Sequence, residues 1–496
     1  MSIRDPDPLD TLLQEVQVQF EQQLQIEELL ALSKKLQAEL RQHMIFSPQC
    51  MLPSFNYELP TGQERGTYLA LEVGGSNLRM ALVELNGRNL GMRMRRTEHF
   101  PIDTAIRQLK AYEFFDWMAE RVRELLGVEA ESAGHIEGNG LLPMGVAWSF
   151  PLDQTSIRSG NVLGMGKGFQ CSEHLIGRDL GEIITKACQH AVFTPSYVHF
   201  LGFNADSFAL QKLNVRLDAI VNDSSSALLA RAYLDPATRL ATILGTGMNA
   251  AVHLPAAALD SSKFRSRLPS VGTISHVLTN TELSMFGKNI FPTTRWDDIL
   301  NRAHVLPDYQ PFEYLVAGKY IGEIVRLIIV EATQTARLFS GLLPPSLGND
   351  PYTVDTKDLA FIDIDTSHGL AASRSLFYER HPSPHLPSEK DIMFIKDVVK
   401  RVSTRSIAYF TTGIHALTVV LQRLETIDMG HVTIGCDGSI INNYPGFMEG
   451  AQEMLDQMIG LDKLEAGKRV ILERTTDSAV LGAAVAGAMA ARAAIS

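Results

Sequence analysis

Paired glycines between two apolar runs are the first feature of this sequence that could do chemistry. Gly74 and Gly75 interrupt an apolar pattern, a short polar tip from Ser76 to Arg79 follows, and the apolar pattern then resumes. Glycine tolerates the backbone angles of a tight hairpin. The same freedom lets backbone N–H groups approach a ligand closely, and phosphate is the usual ligand of such turns. One turn leaves both readings open, a plain hairpin and a phosphate loop.

The same design returns later in the chain. Residues 240–254, LATILGTGMNAAVHL, place Gly245–Gly247 between two apolar runs, and Asn249 follows this turn as Asn77 follows the first. A third glycine turn, Gly438–Ser439, comes after another apolar run. The two matching tips predict a duplicated lobe with a nucleotide in the cleft between the copies. Coincidence between two unrelated hairpins stays open on pattern alone.

Asp223 is an acidic residue in a position suited to catalysis. It follows the apolar run Leu217–Val221 and precedes a helical pattern, Ala227–Tyr233. In open α/β sheets, ligands gather beyond the carboxyl ends of the strands. Asn222 or Asp223 suits equally well the capping position of the following helix, since a side-chain oxygen there accepts a bond from an unpaired backbone N–H group. The local sequence leaves both roles open.

Composition and charge exclude several classes of protein. The chain has 496 residues, of which 45% are hydrophobic and 20% charged, which is enough for two or three lobes. A formal net charge of -11 argues against nucleic acid or an anionic membrane as the main partner. Four widely spaced cysteines without a CxxC motif predict neither a zinc site nor a disulfide framework. The sequence shows no secretory signal and no apolar stretch of roughly 20 residues, so we predict a cytoplasmic protein.

Hydrophobic periodicity predicts alternating strands and helices, and therefore an α/β architecture. Residues 9–44 are predicted to form a long amphipathic helix or a broken pair packed on its own domain, and residues 342–353 an exposed loop. The strand-like runs are Met144–Phe150, Leu217–Val221, Leu240–Leu244 and His431–Gly435. The helical runs are Phe114–Leu126, Gly322–Leu338 and Asp391–Leu424.

Several long motifs occur together in this chain in the order found in hexokinases. They are LPTGQERGTYLALEVGGSNLRMALVEL, SFPLDQTSIRSGNVLGMGKGF, IVNDSSSALLARAYLDPATRLATILGTGMNAAVHL, NTELSMFG and IGCDGSIINNYPGF. From about Leu29 to the C-terminus, the chain resembles the eukaryotic hexokinase family, and it looks most like the divergent fungal members. The resemblance implies an α/β fold with two lobes, actin-like and ribonuclease H-like, that closes over a sugar and ATP.

The resemblance also implies how the chain is divided. Residues 1–66 are expected to be an N-terminal helical segment joining the large lobe, and residues 67–218 the small lobe. Residues 219–478 are expected to form the large lobe, and residues 479–496 a C-terminal helix that returns to the small lobe.

The resemblance assigns roles to individual residues. It implies that Asp223 takes the proton from the sugar 6-hydroxyl, with Lys167 and Arg79 as the other catalytic residues. The implied sugar contacts are Ser149, Phe150, Lys167, Asn222, Asp223, Asn249, Glu282 and Glu313. The implied contacts to the nucleotide are Gly74, Gly75, Ser76, Asn77, Arg79, Gly245, Thr246, Gly247, Gly438 and Ser439. The implied cofactors are ATP and Mg²⁺, with the ion held mainly by phosphates and water and no protein ligand assigned.

Four departures from the family pattern distinguish this sequence. Glu72 stands where the family has Asp, Gly166 where it has Thr, and Leu283 where it has Trp. The family's Asp-Gly-Ser segment near the C-terminus has become Asp477-Ser478-Ala479. The changes at Gly166 and Leu283 imply a larger sugar pocket, and the last one alters the adenosine end of the site.

Three hypotheses follow from these departures. The protein is an ordinary glucose-phosphorylating hexokinase, a relative that phosphorylates a bulkier sugar such as N-acetylglucosamine, or a sugar-binding regulator without activity. Divergent fungal members of the last two kinds exist. Because Asp223, Lys167, Arg79 and Glu282 survive together, we favour a working kinase, and narrowly an amino-sugar substrate.

Overall fold

Two mixed β-sheets with helices around them organise this protein. The computed structural model describes residues 7–130, 141–165, 168–189, 213–267, 274–425, 430–462 and 469–493. The strands are β1 (Leu52–Pro53), β2 (Arg65–Val73), β3 (Asn77–Asn86), β4 (Met92–Pro101), β5 (Leu142–Trp148), β6 (Leu152–Ser156), β7 (Ser159–Val162), β8 (Val215–Val221), β9 (Thr238–Leu244), β10 (Met248–Pro255), β11 (His276–Asn280), β12 (His431–Asp437) and β13 (Arg469–Arg474).

The α-helices alternate with these strands and also form a long run between β11 and β12. They are α1 (Pro8–Glu21), α2 (Ile26–Phe46), α3 (Thr104–Arg107), α4 (Glu113–Ala130), α5 (Leu180–Gln189), α6 (Asp223–Leu234), α7 (Arg295–Ala303), α8 (Pro311–Val316), α9 (Gly318–Ala336), α10 (Pro345–Asn349), α11 (Thr356–Ile364), α12 (Ala371–Arg380), α13 (Glu389–Leu424), α14 (Ser439–Asn443), α15 (Phe447–Leu461) and α16 (Ser478–Ala493). None of the helices in the described ranges is long and apolar enough to cross a bilayer.

The two large sheets share one topology. The first has the strand order β4-β3-β2-β5-β8, and the second has the order β1-β11-β10-β9-β12-β13. In each sheet an antiparallel hairpin, β2–β3 or β9–β10, is extended on its other side by two parallel strands. Apart from the short β1, the sheets therefore correspond strand for strand. The glycine tips lie in equivalent hairpins, as the repeat in the sequence predicted.

Three apolar cores hold the sheets and helices together. The first lies around the second sheet and buries α1 and α2 through residues such as Val16, Phe20 and Leu36, which confirms the broken pair of helices. The second lies between the first sheet and helices α4 and α5, with Phe115 and Trp148 at its centre. The third joins the two sheets through α6 and the alanine-rich α16. The residue boundaries drawn for the lobes stay a prediction.

The contact between α6 and α16 depends on glycine. A Cβ atom on Gly482 would lie 1.8 Å from the Ser226 carbonyl oxygen. The Ser226 hydroxyl in turn donates to the Ala479 carbonyl at 2.6 Å. Small residues thus let the two helices approach closely. Helix α6 begins at the carboxyl end of β8, and α16 begins after the carboxyl end of β13.

Most of the predicted elements are confirmed, and two segments were misjudged. Residues 342–353 are not simply a loop, because they contain α10, in which Leu347 is buried. Pro345 suits the first turn of a helix, where no backbone N–H donor is needed. The short strand Leu52–Pro53 was not predicted because its partner, β11, lies more than 200 residues further along the chain.

Candidate active site

The first glycine turn forms the tip of the β2–β3 hairpin. The Gly74 amide donates to the Asn77 carbonyl at 3.0 Å, which closes the turn. The Arg107 guanidinium donates to the Gly75 carbonyl at 3.1 Å and holds the tip from α3. The turn therefore has a fixed shape, set by the hairpin and by one cation from a neighbouring helix.

A cluster of charged side chains lies directly behind this tip. Glu72 and Arg79 face each other across the hairpin, with Glu72 Oε2 3.5 Å from Arg79 Nη1. The same Arg79 nitrogen donates to Asp477 Oδ1 at 2.8 Å, from the residue before α16. Burial raises the pKa of Glu72 to about 7; the Arg79 charge opposes this shift, and Asp223, Asp437 and Asp477 add to it. Two carboxyl groups thus lie against one guanidinium, and the charges of Asp223 and Asp437 act on the same cluster.

The structure separates the two roles considered for Asn222 and Asp223. Asn222 is the capping residue of α6, and its Oδ1 accepts from the Ser224 amide at 3.0 Å and from the Ser224 hydroxyl at 2.6 Å. Asp223 is the first residue of the helix, and its Oδ1 accepts from the Ser224 amide at 2.8 Å. Because Asn222 caps the helix, the Asp223 carboxylate is oriented at the carboxyl end of β8 without being the cap.

Asp437 connects the third glycine turn to the start of α16. Its Oδ1 accepts from the Gly438 amide at 2.6 Å and from Asn442 Nδ2 at 2.7 Å. Its Oδ2 accepts from the Ser478 amide at 2.9 Å and also from the Ser478 hydroxyl. The hydroxyl bond depends on Ser478, which stands where the family pattern has glycine, so it belongs to the altered segment.

The second and third glycine turns lie against each other. Gly438 has φ +116°, and a Cβ atom there would lie 2.3 Å from the Leu244 carbonyl oxygen, so only glycine fits. A Cβ atom on Gly245 would lie 3.1 Å from the Ser439 amide nitrogen. Two backbone turns from neighbouring strands, β9 and β12, therefore meet at one edge of the second sheet.

Glu313 holds the second turn from α8. Its Oε2 accepts from the Met248 amide at 2.9 Å, and a Cβ atom on Gly247 would lie 2.7 Å from the same oxygen. The Gly318 amide donates to the Gly245 carbonyl at 2.8 Å, from the start of α9. The predicted sugar residue Glu313 and the predicted phosphate turn are thus direct neighbours.

A chain of amide and carboxyl groups follows the second turn. Asn249 Nδ2 donates to Asn280 Oδ1 at 2.9 Å, and Asn280 Nδ2 donates to Glu282 Oε1 at 2.8 Å. Asn249 Oδ1 accepts from the amides of Ala250 at 2.8 Å and Leu283 at 3.3 Å. Two predicted sugar residues, Asn249 and Glu282, are therefore oriented by one residue, Asn280.

Asn280 and Gln310 bond to residues of the candidate site, and sequence reasoning missed both of them. Asn280 stands at the start of the quoted motif NTELSMFG, and its spacing of two from Glu282 was the available signal. Gln310 Nε2 donates to Ser284 Oγ at 3.3 Å, which ties the loop before α8 to the Glu282 segment. That contact joins residues 26 positions apart, and no local pattern indicates it.

Other predicted residues occupy different surroundings. Phe150 is 5% exposed and packs against Trp148 and Phe169, with ring centroids 5.1 Å and 5.2 Å away, in the core of the first sheet. Ser149 donates its amide to the Val73 carbonyl at 3.2 Å, beside the first hairpin. Lys167 lies outside the described residues, as does Gly166.

Leu283, which stands where the family has Trp, is a core residue. It is fully buried, and Phe312 lies beside it across Gly413. Met165 is also buried and contacts the Cys171 sulfur at 3.2 Å. With both buried, their identity acts on the pocket through the packing of neighbouring groups.

The groups around the glycine turns suit a nucleotide that binds together with its own metal ion. No three His, Cys, Asp or Glu side chains among the described residues lie together in a way that would hold a metal. The glycine turns instead bring backbone close together, with Arg79 as a nearby cation. Such turns favour phosphate, and Mg²⁺ keeps several waters and phosphate ligands when it binds with a nucleotide.

Comparison with known sequences decides the family. Two family models, both described as hexokinase, match residues 9–233 and 239–489. The chain belongs to the hexokinase family. Members of this family are sugar phosphotransferases, so the protein is classed as an enzyme that transfers phosphate to an alcohol group, as the motifs predicted.

Curated hexokinases are similar along most of their length. Hexokinase-1 of Spinacia oleracea is 29% identical over 442 residues, which cover 88% of this chain and 82% of the relative. Hexokinase-1 of Schizosaccharomyces pombe is 27% identical over 449 residues, which cover 89% and 83%.

Solved hexokinase structures confirm the fold. A hexokinase from Schistosoma mansoni complexed with glucose has a TM-score of 0.77 at 23% identity, with 97% of this chain and 99% of that chain covered. A second hexokinase crystal structure has a TM-score of 0.73 at 25% identity and covers 97% and 100%. The α/β, actin-like sugar-kinase fold expected from the motifs is therefore confirmed.

Proposed function

We propose that this hexokinase-family enzyme transfers the γ-phosphoryl group of ATP to the 6-hydroxyl of a hexose or an amino sugar. The observation that carries the proposal is the position of Asp223. Its carboxylate is oriented at the end of β8, and its charge acts on Glu72 directly behind the first glycine turn. A base and a phosphate-binding turn in the same neighbourhood are what phosphoryl transfer to an alcohol requires.

In the proposed reaction, Asp223 removes the proton of the attacking hydroxyl. The Ser224 amide fixes Oδ1, and we assign the proton to Oδ2. Asn222 keeps the helix capped, so the carboxylate need not serve that purpose. Phosphoryl transfer makes little covalent demand on the protein, and positioning plus charge stabilisation supply most of the catalysis.

We assign the sugar to the amide and carboxyl chain that follows the second turn. Asn249, Glu282 and Glu313 offer acceptors and donors at fixed positions, with Asn280 holding the first two. A polyol suits such groups because each can pair with two hydroxyls. An analogue that lacks a hydroxyl would leave one of these groups unpaired and be rejected. Ser149 and Phe150, which follow β5, remain proposed sugar contacts, and so does Lys167.

We assign the phosphates of ATP to the three glycine turns and to Arg79. MgATP supplies the phosphoryl group and brings the ion that neutralises its charge. The second and third turns already lie against each other, and Arg79 is held at the first by Asp477. The chain's own contribution is a set of backbone donors and one guanidinium in fixed positions.

For the substrate we narrowly favour N-acetylglucosamine over glucose. Gly166 and Leu283 are smaller than the Thr and Trp of the family pattern, and both positions are ones the family places near the sugar. Because Leu283 is buried beside Phe312, its smaller volume favours an acetamido group through the positions of its neighbours. We also propose a cytoplasmic location, which suits the four cysteines, all of them free and buried.

A coupled assay of ADP release tests the function and the substrate together. Glucose, fructose, mannose and N-acetylglucosamine would be compared, and we expect the highest kcat/KM for N-acetylglucosamine. Faster turnover of glucose would overturn the amino-sugar assignment and leave a plain hexokinase. The double replacement Gly166→Thr with Leu283→Trp should lower activity on N-acetylglucosamine and spare activity on glucose.

The alternative function is that of a sugar-binding regulator with little or no activity. The altered segment favours it, because the Ser478 hydroxyl donates to Asp437, a bond that the glycine of the family pattern could not make. In this case a sugar binds, measured by calorimetry, and no ADP is released with any sugar.

A further inference from the structure

Lys263 is a half-buried lysine to which the proposed reaction assigns no step. It lies in a short helical segment, Ser261–Arg267, between β10 and β11. Its ammonium group donates to three backbone carbonyls, those of Ser47 at 2.7 Å, Cys50 at 2.7 Å and Met51 at 3.2 Å. An ammonium group has three N–H donors, so these bonds use all of them.

The three carbonyls belong to the connector, residues 47–53, which leads from the end of α2 through β1. Ser47 is the residue that ends α2, and a cation is favoured there because the last carbonyls of a helix lack partners. Burial lowers the pKa of Lys263 to about 8, against the opposing charges of Cys50 and Asp260. The ammonium group is thus withdrawn from water, and the carbonyls of the connector take the place of water as its acceptors.

The connector supports the segment that carries Glu282, a proposed sugar contact. In β1, Leu52 pairs with Asn280 of β11. The Met51 amide donates to the Thr281 carbonyl at 3.1 Å, on the residue before Glu282. The connector therefore fixes the backbone of both Glu282 and its side-chain partner Asn280.

Strained backbone occurs on both sides of this contact. Met51 has φ +54° and Glu282 has φ +52°, in the left-handed region that side chains other than glycine rarely adopt. Such conformations persist only where the surrounding structure holds them in place. Lys263 bonds to the carbonyls of Cys50 and Met51, which stand before and after the strained Met51 backbone. It therefore holds the first strained residue, and that residue bonds to the peptide next to the second.

We propose that Lys263 positions Glu282 for the sugar by holding the connector, so that sugar affinity depends on its three hydrogen bonds. It is a positioning residue, because it acts through Met51 and Thr281. This inference rests on the proposed sugar site. Its effect should fall on the sugar and not on ATP, because we assign the phosphates to other segments.

Calorimetric titration of the full chain with sugar, without nucleotide, tests this role. The probes are glucose and N-acetylglucosamine. Lys263→Met keeps the apolar stem and removes the ammonium group, and we expect the Kd of the tighter-binding sugar to rise about threefold to tenfold. Steady-state kinetics should show the same rise in the KM for that sugar, with kcat and the KM for ATP changed less than about twofold. Hydrogen exchange of residues 47–53 should become faster in the same variant.

Three further variants complete the comparison. Lys263→Arg keeps the charge and the donors, and we expect its sugar Kd to stay within about twofold of that of the unmodified chain. Lys263→Gln removes the charge with a polar side chain, and it serves as the second test if Lys263→Met fails to fold. Lys396→Met is the matched control, because Lys396 is also half-buried and donates to a backbone carbonyl, that of Asp365, at 2.6 Å. It should leave the sugar Kd within about twofold.

Three results overturn the inference while leaving the proposed function intact. The first is an unchanged sugar Kd in a folded Lys263→Met or Lys263→Gln protein. The second is an equal rise in Lys396→Met or in the KM for ATP, which would indicate a general loss of stability. The third is weak sugar binding by Lys263→Arg, which would assign the effect to the shape of the side chain. A chain that binds and phosphorylates no sugar overturns the proposed function and the inference together.

Discussion

The two glycine hairpins hold equivalent places in their sheets and carry different chemistry. Two pairs back from the tip, Glu72 faces Arg79 in the first sheet, and Ile243 faces Asn249 in the second. All four side chains are half-buried, so the backbone and the exposure are alike. The charged pair of the first hairpin is thus replaced in the second hairpin by an apolar residue opposite an amide.

We propose that this difference divides the reaction between the two hairpins. The charged copy lies among Asp223, Asp437 and Asp477, where we place the phosphates and the proton transfer. The amide copy leads into Asn280 and Glu282, where we place the sugar. In this proposal both hairpins let the backbone approach a ligand closely, and the side chains at one register position select the ligand.

The largest effect should come from replacing Asp223, the proposed base at the end of β8 in the first sheet. Asp223→Asn keeps the size of the side chain and cannot accept the proton, so kcat should fall at least ~10²-fold. Steady-state kinetics with the best sugar measure this. Asp235→Asn, at the other end of the same helix, is the control and should keep its activity. Near-normal turnover by a folded Asp223→Asn enzyme would mean that Asp223 only supports the helix.

Removing the cation of the first copy should affect the nucleotide. Arg79→Gln loses charge-assisted hydrogen bonds, and we expect KM for ATP to rise by about tenfold to a hundredfold with little change in KM for the sugar. Arg96→Gln, which removes an ion-paired arginine from the neighbouring strand β4, is the control. A rise in sugar KM of the same size would erase the distinction between the two hairpins.

The matching change in the second copy should affect the sugar. Asn249→Ala removes one amide from the sugar site, and KM for the sugar should rise by about threefold to tenfold while KM for ATP stays the same. Asn280→Ala should give a similar change, because it releases both Asn249 and Glu282. Asn301→Ala, whose amide bonds to Asp308 in a surface loop, is the control. If the KM for ATP rises and the KM for the sugar does not, the phosphates and the sugar have been assigned to the wrong hairpins.

A further effect concerns stability and not kinetics. The pKa of Glu72 is raised to about 7, so the folded protein favours the neutral acid and loses stability as the pH rises from about 4.5 through 7. Glu72→Gln removes this loss, and its advantage in unfolding free energy should grow by ~1–3 kcal/mol between pH 5 and pH 8. Thermal unfolding without nucleotide at each pH measures it. A constant difference between the two proteins would show that Glu72 does not titrate in this range.

Much of the fold follows from local pattern. The helix pair in residues 8–46, the strand before Asp223 and the long helix Glu389–Leu424 were all predicted close to their observed bounds. Such elements follow from hydrophobic periodicity and from turn residues, which act over a few positions. The family and the fold class were predicted as well, because several long motifs occur in the same order as in hexokinases.

The sequence by itself determined which residues are available, and it placed the glycine turns and Asp223 at the ends of strands. Only the tertiary structure decided what surrounds them. Burial raises the pKa of Glu72, and the charges of Asp437 and Asp477, more than 350 residues away in the chain, act on it as well. Asn280 joins Asn249 to Glu282 through a strand pairing that no local pattern specifies. Hydrogen-bond partners, charge and exclusion of water are properties of the packed molecule, so they appear only when distant segments meet.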